Sequence, residues 1–141
     1  MSSEQIRVLG WPAPRGYANG SIGRGRAVHV AGQIGWDATG ALVGPDLATQ
    51  WPQALDNVIA VVRTAGGTPE DIASMTIFVT DLAAYRAAVR ELGAAWRARF
   101  GRHYPAMTLV AITGLVEPGA VVEIQATAYV SEPGGAPGGL P

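Results

Sequence analysis

Glu123 sits inside an alternating stretch, Val122-Glu123-Ile124-Gln125-Ala126-Thr127-Ala128. A carboxylate among apolar neighbours is costly to leave unpaired. It is either a partly exposed strand residue answered by an arginine, or a general base that holds a water for attack on a substrate. Tyr17 follows Gly16 in an irregular stretch. Its ring can cap a core, or its hydroxyl can donate a hydrogen bond to a ligand. His29 alternates within a short strand and reads as a satisfied core or interface residue, while His103 reads as a solvated loop residue. Arg86, Arg90 and Arg97 recur along one side of an amphipathic segment, the pattern of a solvated helix face.

The residue types that are missing exclude much chemistry. All ten basic residues are arginine, and the chain has no lysine and no cysteine. That rules out a Schiff-base or pyridoxal-phosphate lysine, a Walker-type phosphate loop, a thiolate nucleophile, a cysteine metal site and a disulfide. Two histidines are too few for a multi-histidine metal site, so neither a metal nor a cofactor is expected. A formal net charge of -1 gives no pull toward nucleic acid or an anionic membrane. No apolar run approaches the roughly 18 residues of a membrane span, and Met1 to Gln5 lack a signal-peptide core. A cytoplasmic location is the default expectation. What remains is chemistry built on carboxylates, water, hydroxyls and backbone groups.

The elements that must position these groups are legible in the periodicity. Val28 and Val30 alternate with His29 and Ala31 in a short strand that ends at Gly32-Gln33-Ile34-Gly35, before a turn at Asp37-Ala38-Thr39-Gly40. Thr49 is the expected N-cap of a first helix, with Pro52 in its first turn, Trp51, Leu55, Val58 and Val62 at helical spacing, and Gly66-Gly67 as its stop. Thr68-Pro69-Glu70-Asp71 reads as a capped single turn, and Met75, Ile77 and Val79 alternate as a strand. Asp81 caps a second helix whose Leu82, Tyr85, Val89, Leu92, Trp96 and Phe100 make the cleanest amphipathic pattern of the chain. Strands over about Met107 to Thr113 and Val121 to Val130 close a single domain, residues 1–132, before a Gly/Pro-rich tail, 133–141, expected to be disordered. Two helices on one face of a four-to-six-stranded sheet make an α+β sandwich. The other face must combine Phe78 or Met75 with Glu123 and Gln125, so a homo-oligomer is expected to cover it.

Five pieces carry a resemblance in their order and spacing: Arg15-Gly16-Tyr17, Val30-Ala31-Gly32-Gln33-Ile34, Gln53-Ala54-Leu55-Asp56-Asn57, Pro105-Ala106-Met107-Thr108, and Val122 to Ala128. Over about residues 12 to 130 the chain resembles the Rid family of reactive intermediate deaminases, also called YjgF-like or endoribonuclease L-PSP-like proteins. The resemblance implies a chorismate-mutase-like sandwich, a homotrimer, and ligand clefts between neighbouring subunits. Carried over by position, Tyr17 would line the cleft, Gly32 would let a ligand approach the backbone, and Glu123 would hold the water that attacks an imine. Thr108 would face the ligand through its amide and hydroxyl. The family's usual motif is Pro-Ala-Arg-Ser/Thr, whose arginine binds the substrate carboxylate. Met107 stands at that arginine's position here, and Gly16 replaces the proline that usually precedes the cleft tyrosine. A neutral, flexible thioether offers no bidentate grip on a carboxylate. Arg15 or Arg102, each flanking an expected cleft element, is a candidate replacement.

The implied function is an enamine/imine deaminase-like hydrolase, in which water adds to a C=N carbon and ammonia leaves. Weak or no turnover of simple 2-iminopropionate-like substrates is expected, with a larger unsaturated substrate of a catabolic pathway fitting better. The alternative is a non-catalytic small-molecule-binding or regulatory homologue using the same cleft. An endoribonuclease, the activity in one family name, is less favoured, because the chain lacks lysine and a paired-histidine motif.

Overall fold

Alternating side chains and two helical stripes fold into one helix-covered sheet in the computed structural model, which describes residues 2–133. An antiparallel hairpin comes first, β1 (Ser3–Ile6) and β2 (Gly20–Gly23). β3 (Arg26–Gln33) leads to α1 (Leu47–Thr64), and a short 3-10 turn at Pro69–Asp71 leads to β4 (Ile72–Val79). α2 (Leu82–Phe100), β5 (Ala106–Ala111) and β6 (Val122–Val130) complete the chain. The main sheet has the order β3-β6-β4-β5. Because α2 carries the chain back across the sheet, β4 and β5 are parallel, while β6 is antiparallel to both of its neighbours. This is the expected α+β arrangement, two helices on one face of a mixed sheet. Of the tail expected to be disordered, residues 134–141 lie outside the described residues. Among the described residues no helix is long and apolar enough to cross a membrane.

The core lies between α1 and the sheet. Leu55, Val58 and Val62 of α1 are fully buried, as are Val79, Val122 and Ile124 opposite them. α1 therefore has the sharper apolar face, correcting the expectation that the second helix would. Only Leu92, Trp96 and Phe100 of α2 are buried, and Val89 is half exposed. Leu82 and Tyr85, nearer the start of α2, pack partly buried against the core, and Tyr85 and Val89 also border a cavity. Met75 is buried on the helix side, so Phe78 is the residue that joins Glu123 and Gln125 on the uncovered face.

The helix ends follow capping chemistry. Asp46, rather than the expected Thr49, caps α1, its Oδ1 accepting from the Thr49 N–H at 2.9 Å. A carboxylate at the cap reaches the third amide of the helix, and Thr49 becomes that third residue. Pro52 consequently falls in the second turn, where it removes one intrahelical bond. At the other end Gly66, at φ 94, donates to Arg63 O and Gly67 donates to Val62 O, a Schellman stop. Asp81 caps α2 through the Ala83 and Ala84 amides. Asp71 ties β1 to the 3-10 turn. Burial alone would raise its carboxyl, but donors from Ser2 and Thr68 hold it below the usual aspartate range.

Two side-chain amides, one buried and one half-buried, fix the loops around the sheet. Gln50 is fully buried; its Nε2 donates to Gly44 O (2.6 Å) and Gly119 O (2.9 Å), and its Oε1 accepts from Val121 N (3.0 Å). Gly35 lies so close that a Cβ there would be 2.7 Å from the Gln50 Cβ. Asn57 donates from Nδ2 to Ile34 O and Trp36 O, each at 2.9 Å, pinning the chain as it leaves β3. Asp56 pairs bidentately with Arg99 and joins the two helices. Leucine in place of Gln50 strands the Gly44 carbonyl in the loop before α1 and the Gly119 carbonyl and Val121 amide at the entry to β6. Gln50→Leu is expected to lower unfolding free energy by about 3 kcal/mol, read as a fall in the urea midpoint.

Candidate functional site

The expected site residues divide between two places. Arg15, Tyr17 and Met107 come together around a cavity of about 500 Å³ between α2, β5 and the loop that carries Tyr17. Tyr17 is 45% exposed and reaches the cavity from a loop bent at Gly16, whose φ of 75 favours glycine. Ala18 then holds that loop to β5 through its N–H to Pro105 O at 2.9 Å. Met107 and Leu109, on the helix side of β5, form the floor with Ile77.

The second place is a corner between β3 and β6. A β-bulge between Val30 and Gln33 lifts Gly32 toward Glu123. A Cβ at Gly32 would lie 2.4 Å from Glu123 Oε2 and 2.8 Å from its Cδ, so only glycine lets this carboxylate rest on the β3 backbone. Gly32 thus makes room for Glu123 itself. The Glu123 side chain is half-buried, and among the described residues no cation stands within 4 Å of it and no group donates a hydrogen bond to it. The arginine partner of a merely solvated strand carboxylate is not there.

One chain does not bring the two places together, and register says why. Met107 lies opposite Met75 on β4, and Glu123 lies opposite Phe78. Met75 and Phe78 are three residues apart on one strand, so their side chains project to opposite faces. Met107 faces the helices and Glu123 faces the uncovered side, with β4 between them and roughly 10 Å separating the β5 and β6 backbones. Thr108 goes with neither group: it is exposed on the uncovered face of β5, beside the cavity wall rather than in it.

Other expectations are refined or corrected by contacts. Arg97 is exposed, as expected of a solvated helix face, and its side chain also lines the cavity. Arg102 is exposed and outside the cavity lining. His103 is half-buried rather than a solvated loop residue: its Nε2 lies 2.8 Å from Ile72 O, and since a carbonyl only accepts, that nitrogen carries the proton. His103 O also accepts from Trp96 Nε1 at 3.1 Å, which fixes the Trp96 ring. His29 is exposed on the uncovered sheet face, near Ser74, Thr76 and Gln125. Among the described residues no group of three or more His, Cys, Asp or Glu could hold a metal.

The sequence reading missed the aromatic wall of the cavity. Trp51, Tyr85, Trp96 and Tyr104 line it together with Tyr17. Trp51 and Leu92 are core residues, as their spacing predicts, but they also border the cavity, and periodicity alone does not report that second role.

The sequence profile of the family described as Endoribonuclease L-PSP matches residues 11–130. A RutC family protein of Pyrococcus horikoshii is 32% identical over 119 residues, which cover 84% of this chain and 90% of the relative. A conserved Rid family protein of Yersinia pestis has a similar structure, with a TM-score of 0.82 at 31% identity over 92% of this chain and 100% of that chain. The YjgF gene product of E. coli gives a TM-score of 0.64 at 33% identity, over 89% of this chain and 98% of that chain.

Alanine at Gly32 is expected to push the Glu123 carboxylate off β3 while changing stability by no more than about 1 kcal/mol, since the displaced atoms are the tip of a side chain. A crystal structure of Gly32→Ala checks this. Glu123 found in its original place would contradict it.

Proposed function

Because the chain belongs to the Rid/YjgF-like (endoribonuclease L-PSP) family, whose membership supports a deaminase or small-molecule-binding role, we propose that it is an imine or enamine hydrolase. The observation that carries this reading is the Glu123 carboxylate, half-buried, held against Gly32 and free of any cation among the described residues. A carboxylate in that state is available to take a proton. It accepts one from a bound water as the water oxygen bonds to the C=N carbon. The carboxyl passes that proton to nitrogen to give the carbinolamine; it then takes the hydroxyl proton and delivers it to the amine, so that the C–N bond breaks, ammonia leaves and a carbonyl product remains. Little else is required of the protein beyond holding the reactants together and keeping out bulk water. Tyr17 is placed to donate a hydrogen bond from the cavity side.

The site is assembled between copies of the chain, as a homotrimer, with the Glu123 corner of one protomer closing the cavity of the next. Two features support this. The catalytic carboxylate and the cavity lie on opposite faces of one sheet. The uncovered face also carries Phe78 and Val110 among polar groups and needs a cover.

Met107 favours a second reading, a binding protein with no turnover, because the strand position that would clamp a carboxylate is neutral. Ammonia release from imines generated in situ by an amino-acid oxidase separates the two. The native protein is expected to turn over imines of larger unsaturated amino acids, and Glu123→Gln is expected to lose at least about 100-fold in rate. Met107→Arg is expected to gain activity on 2-iminopropionate. Full activity in Glu123→Gln would overturn the hydrolase reading; a native protein silent on all imines, with turnover only in Met107→Arg, would establish the binding one.

A further inference from the structure

The cavity is much larger than a three-carbon imino acid and is walled by rings. Trp96 stacks on Tyr104 with centroids 5.8 Å apart and planes 5° from parallel. Trp51 and Tyr85 form the adjoining wall, 6.2 Å apart and tilted by 48°. Such a lining favours a planar, unsaturated guest, which can stack on one wall and meet the edges of another.

Several polar side chains line this cavity without a hydrogen bond or ion pair among the described residues, and two of them bear on the guest. Trp51 is 4% exposed, and its Nε1–H has no hydrogen-bond acceptor among the described residues. A buried donor left in that state calls for an acceptor from outside the chain. Arg97 is the other. Neither ion pair found among the described residues, Arg26–Glu132 and Arg99–Asp56, involves it. Its guanidinium folds back along α2 over Gly93, where an added Cβ would lie 3.2 Å from Nη1. Alanine is the better helix former, and glycine here leaves room for the guanidinium beside the cavity. A planar guanidinium carried on a helix suits bidentate contact with a carboxylate. Arg15 also reaches the cavity, but from the loop bent at Gly16.

We propose that Arg97 supplies the cation missing at Met107, and that the cavity takes an aryl-bearing or similarly conjugated 2-imino acid, its carboxylate on Arg97 and its planar side chain between the Trp51–Tyr85 and Trp96–Tyr104 walls. This rests on the hydrolase reading for the chemistry at C=N, but not for the binding. The anchor has moved from a strand to a helix. That move turns the guest around and opens the aromatic wall to its side chain.

The test uses the full chain and stable keto analogues, titrated by tryptophan fluorescence and calorimetry. The probes are phenylpyruvate, pyruvate and the neutral phenylacetone. The native protein is expected to bind phenylpyruvate at least tenfold more tightly than pyruvate. Arg97→Gln is expected to lose at least tenfold for phenylpyruvate and nothing for phenylacetone, with Arg97→Lys recovering part of the loss. Arg97 is exposed, so these variants are expected to fold as the native chain does. Unchanged phenylpyruvate affinity in Arg97→Gln would overturn the proposal, as would the whole loss appearing in Arg15→Gln or pyruvate binding as tightly as phenylpyruvate. Arg97-dependent binding without any ammonia release would uphold the assignment and overturn hydrolysis. Turnover that needs Glu123 but ignores Arg97 would do the reverse.

Discussion

The strict alternation of side chains along β4 governs this molecule. β4 is paired on both edges, and its two registers set Met107 against Met75 and Glu123 against Phe78. A one-residue slip on either side would exchange core for surface along an entire strand, so neither register can relax. The cavity with its aromatic wall is therefore committed to the helix side and the free carboxylate to the other. In the proposed function, the carboxylate therefore comes from a second copy of the chain, seated on the uncovered face.

Around this constraint the structure places polar groups economically. Gln50 satisfies three backbone groups from inside the core and fixes the entry to β6, the strand that carries Glu123. Asn57 fixes the exit from β3, the strand that carries Gly32. The two amides hold the corner's two strands from α1, a rigid support for a carboxylate that has no hydrogen-bond partner of its own among the described residues. Met107 gives the opposite half its character. Met107 puts a neutral thioether on the cavity floor, and Arg15 and Arg97 are the cations among its lining residues.

Much of this was legible in the sequence. Period-2 runs identified β3, β4 and β6, period-3.6 runs identified both helices, and Asp81 and Gly66-Gly67 marked their ends. Thr49 fails as the cap because Asp46, three residues earlier, is an equally good one and only the position of the first turn separates them. The short hairpin β1–β2 carries no alternation to read. The failures at the site share one cause. Tyr85, Val89, Trp96 and Arg97 follow helical spacing, which reports that a stripe exists but not whether a sheet or a cavity lies beneath it. Gly32 was read as space for a ligand, whereas the space is occupied by Glu123, a contact 91 positions away that no local pattern encodes.

Mixing two damaged proteins tests most directly whether the site is shared between copies. Glu123→Gln keeps the cavity and loses the carboxylate; Met107→Trp fills the cavity and keeps the carboxylate. Each is expected to be inactive in ammonia release alone. Unfolded together in equal amounts and reassembled, they are expected to recover about a quarter of the native rate, the fraction of clefts that draw an intact half from each neighbour. No recovery, from a mixture shown to contain hybrid assemblies, would mean that each chain works with its own carboxylate and would contradict the account.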